Sequence, residues 1–116
     1  MAMEVFLEQD EIREAAFEHD PRWLLVQRIQ ASGGFRRAGQ LRKILLYVSK
    51  VAILQPGQIL REYDIACDVL ERRPNFDPAN DNIVRAQFTH LRRKLEHYFS
   101  DEGRNEPLLL TIPKGS

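Results

Sequence analysis

Cysteine is almost missing from this chain: Cys67 is the only one in 116 residues. That excludes an intrachain disulfide framework and a cysteine-rich zinc site. No apolar run approaches the roughly 18 residues a membrane span requires. The acidic N-terminus also lacks the basic-then-apolar order of a secretory signal, so the expected setting is the cytoplasm, away from membranes. Net charge is missing too, because 17 Lys and Arg balance 17 Asp and Glu. Bulk positive charge therefore cannot by itself attach the chain to a polyanion. Gly33-Gly34 lacks the spacing of a phosphate loop and reads as a helix stop. What is present, 43% apolar residues, suits one folded domain, since a single core organises roughly 100 to 150 residues.

The zero net charge hides a segregation. Residues 1–20 carry seven acids against Arg13 alone. Residues 21–61 carry eight bases (Arg22, Arg28, Arg36, Arg37, Arg42, Lys43, Lys50 and Arg61) and no acid. Residues 62–81 return to acidity, with six acids against Arg72 and Arg73. Beyond them, bases cluster at Arg85, Arg92, Arg93 and Lys94. Two basic blocks framed by acidic ones point to a surface facing a polyanion.

Residues 4–18 place Val5, Phe6, Leu7, Ile12, Ala16 and Phe17 partly on one helical face, as in an accessory or partner-binding helix. Residues 1–20 thus read as an acidic accessory segment and 21–116 as the domain. Asp20-Pro21 is a helix start, with a capping carboxylate and a proline whose missing N–H costs nothing there. That helix should reach Ala31 and bury Leu25, Ile29 and Trp23. A second spans Ala38 to Leu54, with Leu41, Ile44, Leu45, Val48, Val51 and Ala52 inward. Glu62–Leu70 reads as a short helix with Ile65, Ala66, Val69 and Leu70 inward. Residues 72–80, with two prolines and two asparagines, read as a loop anchored by Phe76. Asp81 caps the longest helix, Asn82 to Ser100. Leu108–Ile112 reads as a strand, Gln58–Leu60 as a short one, with Gln58–Arg61 the only obvious local partner for 108–112, and Pro113–Ser116 as a turn.

At 100° per residue, Val84, Phe88, Leu91 and Leu95, with Tyr98 or Phe99, form the buried stripe of the long helix. Ala86, Thr89, His90, Arg93 and His97 point the opposite way, with Arg85 and Arg92 along one edge and Lys94 with Gln87 along the other. Short side chains permit close approach to a major groove, and flanking cations reach phosphates. A short helix feeding a longer one through a loop is a helix-turn-helix order, and a following strand and turn would make a wing. The fold class expected is mainly α with a small β-wing.

Several stretches then carry a family resemblance. They are Leu41-Arg42-Lys43-Ile44-Leu45, Glu62-Tyr63, Asn75-Phe76-Asp77-Pro78, Ile83-Val84-Arg85, Leu91-Arg92-Arg93-Lys94-Leu95 and Pro113-Lys114-Gly115. In order and spacing, over roughly residues 23–116, they resemble the winged helix-turn-helix domain of the OmpR/PhoB effector type. The likeness is closer to a bacterial subgroup often found at the N-terminus of larger proteins. The resemblance implies a transcriptional regulator of double-stranded DNA, with Arg92, Arg93 and Lys94 at phosphates or bases and Lys114 at the wing. The chain departs from the family at Thr89 and His90, where arginines are frequent. It also lacks the strand that usually follows Pro-Lys-Gly, which leaves the wing hairpin incomplete.

Other chemistry has less support. His90 and His97 lie about 10.5 Å apart along the helix axis, too far to share one metal. On a polyanion-facing surface they would make binding respond to pH. Glu62, Asp64 and Asp68 read as a solvated helix face and Cys67 as a small buried hydrophobe. No enzyme activity, metal or cofactor is expected. The expected DNA-facing set is Arg85, Thr89, His90, Arg92, Arg93, Lys94, His97 and Lys114. The alternative function is protein interaction or homodimerisation on the same scaffold, through acidic residues 1–18.

Overall fold

A computed structural model describes residues 16–113. Four helices follow one another: α1 (Pro21–Ala31), α2 (Gly39–Leu54), α3 (Glu62–Asp68) and α4 (Ile83–Ser100). The expected helix over residues 4–18 falls largely outside the described residues; residues 16–18 are helical. Phe17 is buried there. Its ring centroid lies 4.6 Å from that of Trp23, and Lys50 Nζ stands 5.7 Å above it.

Local chemistry accounts for the helix ends. Asp20 Oδ1 accepts the Arg22 N–H at 2.8 Å, with Pro21 at the first helical position. Ser32 closes α1 by donating its own N–H to Ile29 O. Gly57, at φ 89°, turns the chain after α2 in a conformation that favours glycine. The acids Glu62 and Asp64 sit in the first turn of α3, where the helix dipole favours negative charge. At α4 the N-cap is Asn82, which makes no side-chain cap bond, rather than the expected Asp81; Asp81, one position earlier, accepts the Ile83 N–H through Oδ1 at 3.0 Å.

Two apolar clusters hold the helices together. In the larger, Leu25, Val26 and Ile29 of α1 meet Leu41, Ile44 and Leu45 of α2 and Leu91, Leu95 and Tyr98 of α4, with Phe35 fully enclosed. The smaller gathers Ile65 and Ala66 of α3 with Val84 of α4, and the half-buried Phe76 anchors the loop against it. Val48, Val69, Leu70 and Phe88 pack against both clusters and join them. Ala52 departs from expectation: it is exposed, as Leu54 is, while Val51 and Ile53 beside it are half-buried.

The expected strands are the principal correction. Among the described residues there is no strand, so the β-wing is not formed by them. Gln58–Leu60 and Leu108–Ile112 do not pair, and no backbone–backbone hydrogen bond joins them. Ile59 is 77% exposed and Leu109 70%. A strand exists only through its partner's ladder, and alternation within one segment cannot supply one.

A polar clamp closes the C-terminal side. Arg28 of α1 forms a two-pronged pair with Glu106 at 2.9 and 2.8 Å, and Tyr98 Oη donates to the same carboxylate at 2.7 Å. The Arg28 hydrogen bond, then that of Tyr98, holds the Glu106 carboxyl below its ordinary range. Burial, reinforced by Glu106, pushes the Tyr98 hydroxyl up to about 12.

Candidate nucleic-acid interface

The inward stripe of α4 settles which way its other side chains point. Val84, Leu91, Leu95 and Tyr98 are buried, so residues a half-turn away face solvent. Ala86, Thr89, His90, Arg93 and His97 are all exposed. No acid occurs from Ile83 to Leu95. Thr89 Oγ1 donates to Arg85 O at 3.1 Å, so its hydroxyl proton is already engaged.

The two cationic edges are less free than the outer face. Arg85 Nη2 donates to Pro78 O at 3.1 Å, and Nη1 lies 3.7 Å from Glu62 Oε1, yet the side chain stays 54% exposed. A loose, exposed pair of this kind is easily exchanged for another anion. Arg92 donates to the carbonyls of Ile112 and Pro113, and Lys94 Nζ to Gly34 O at 2.7 Å. Both side chains are half-buried and engaged with backbone. Arg93, in contrast, has no ion pair among the described residues. Lys114 lies outside the described residues.

The tertiary fold adds cations that α4 alone does not reveal. The turn after α1 is fastened to α4 by the enclosed Phe35 ring and by the Lys94–Gly34 bond. That turn carries Arg36 and Arg37, both exposed. Gln87 of α4 accordingly receives no acid as its neighbour but Gln40 of the first turn of α2, at 2.9 Å. An open recess of about 310 Å³ separates the turn from α4, lined by Gly34, Phe35, Arg93, Lys94 and His97 and closed by Asp101 and Glu102. The sequence signal for this placement is small: an aromatic residue inside a glycine-rich turn, followed by two arginines.

Bases expected on the flanking helices divide into engaged and open. Arg22 is paired with Asp20 and Arg28 with Glu106. Lys43 of α2 is exposed. The α3–α4 connection, residues 69–82, exceeds the roughly three- to four-residue turn of a simple helix-turn-helix. It is nevertheless ordered by Phe76 and by the Tyr63 hydroxyl, which donates to Pro74 O at 3.0 Å. No described helix is long and apolar enough to cross a membrane. No family model, curated protein or solved structure matches the chain.

Proposed function

We propose that the chain is a DNA-binding module of the winged helix-turn-helix type that acts in transcription regulation, with α4 entering the major groove of double-stranded DNA. The observation that supports this reading best is the solvent side of α4, where Ala86, Thr89, His90, Arg93 and His97 are exposed. Small and polar groups let the helix approach base edges, and a free guanidinium binds guanine or phosphate in two-pronged fashion. Arg36, Arg37 and Lys43 supply backbone contacts on one flank, and Arg85 supplies one on the other by exchanging Glu62 for a phosphate. The order of α3, ordered loop and α4, together with the resemblance to OmpR/PhoB-type effector domains, supports the same reading. Residues 108–112 and Lys114 form the wing when the segment gains a strand partner.

The test is a fluorescence anisotropy titration against duplexes selected from a random pool. Log affinity is expected to fall with log salt by about 0.9 for each phosphate contact. Arg93→Ala is expected to lower affinity about tenfold, as the loss of one good base or phosphate contact does. Arg22→Ala, whose guanidinium is already paired, is expected to leave affinity within about twofold. Undetectable binding at low salt, or indifference to Arg93→Ala, overturns the reading.

A further inference from the structure

Glu102 is an acid at the edge of the recess that Arg93, Lys94 and His97 line, and its carboxylate serves the backbone opposite. Glu102 Oε1 accepts the Gly33 N–H at 3.0 Å, and Lys94 Nζ donates to Gly34 O at 2.7 Å. Two side chains, one from α4 and one from just past its end, thus grip a donor and an acceptor of successive residues in the turn after α1. A Cβ at Gly33 would stand 3.1 Å from that carboxylate oxygen, so the close approach suits glycine. Next in the turn, Phe35 is fully enclosed, and the Phe35 and Arg36 N–H groups both close on Ser32 O. Arg36 and Arg37 follow directly. Both are exposed, and neither enters an ion pair among the described residues.

We propose that Glu102 is a positioning residue for DNA binding: with Lys94 it holds this turn on α4, so that Arg36 and Arg37 meet the phosphate backbone from a fixed place. The inference rests on the DNA-binding reading for those phosphate contacts, but not for the hold on the turn. It runs against simple charge. Removing a carboxylate beside a polyanion ordinarily tightens binding. Here its removal frees the turn, and contacts made by a loose segment carry the entropy cost of ordering it.

Two measurements separate these parts. In the free chain, trypsin cleavage after Arg36 and Arg37, followed by mass spectrometry, is expected to accelerate about fivefold in Glu102→Ala. Glu102→Gln keeps an oxygen acceptor for the Gly33 N–H and is expected to restore most of the native resistance. Glu102 is exposed, and far-UV circular dichroism checks that the helices persist in both variants. Cleavage of Glu102→Ala at the native rate overturns the proposal. With duplex DNA, Glu102→Ala is expected to lose about fivefold in affinity and to reduce the log–log salt slope by about 0.9, the share of one phosphate contact. A role in folding alone leaves that slope unchanged. Glu102→Gln is expected to restore binding, and in a chain that also carries Arg36→Ala and Arg37→Ala, Glu102→Ala should cost nothing further. Native or tighter binding by Glu102→Ala would mean that the carboxylate only repels DNA, and overturns the proposal. An equal loss in Glu102→Gln, or a loss that persists without the two arginines, overturns it as well. If the native chain binds no duplex, the proposed function and the role of Glu102 in binding fall together, while trypsin still decides the hold on the turn.

Discussion

Gly103 shows how narrowly single positions are constrained. Its N–H donates to Tyr98 O at 2.7 Å, and a Cβ built there would collide with the Tyr98 ring. Gly103→Ala gains about 0.4 to 1 kcal/mol from a less flexible unfolded chain. Overpacking against a buried aromatic costs about 1 to 3 kcal/mol, so a net loss of about 1 to 2 kcal/mol is expected in urea unfolding followed by Trp23 fluorescence. Glu71 presents the opposite case. Its φ of 57° is left-handed, and beside it the Leu70 and Arg72 N–H groups close the end of α3 on Ile65 O and Ala66 O. Glycine normally holds such a position, so Glu71→Gly is expected to raise stability by about 0.5 to 1 kcal/mol and to lift the melting temperature. Neither feature was legible beforehand. A glycine after a helix marks only where the helix ends, and nothing around Glu71 marks a left-handed backbone, because φ there is imposed by how α3 and the loop meet.

At the scale of elements, the helices were readable because their determinants are local. The Asp20-Pro21 start, the α2 stripe from Leu41 to Val48 and the stripe of α4 all depend on residues a few positions apart. The strands were not, because pairing depends on a partner distant in sequence. Asymmetry across α4 provides a direct check on its orientation. Leu91 is fully enclosed, so Leu91→Ala is expected to cost about 3 kcal/mol. His90, on the adjoining exposed face, is expected to change stability by less than about 0.5 kcal/mol when replaced by alanine. Similar losses from the two substitutions would contradict the placement of the helix.

For the molecule as a whole, the clamp that ties α1 to the chain after α4 contributes to the response to pH on both flanks. Glu106 titrates below its ordinary value of 4.5, so the folded state favours its charged form. Its stabilisation is complete above that value and is lost as pH falls through the lower, folded one. Tyr98 titrates above its ordinary value of 10.0, at about 12. Its stabilisation is complete below 10.0 and is lost as pH rises toward about 12. Melting temperature should therefore decline on both flanks, and Glu106→Gln should flatten the acid flank; an unchanged acid flank would mean that the clamp contributes nothing. By itself the sequence determined the helical periods, the Asp20 cap and the blocks of charge, since each follows from neighbours within a turn or two. Only the tertiary structure decided which cations remain open. Arg28 meets Glu106 from 78 positions away, Arg92 meets the carbonyls beyond its own helix, and Lys94 meets Gly34 O in the turn after α1. Those partners are chosen by packing in three dimensions, which no local pattern of residue types encodes.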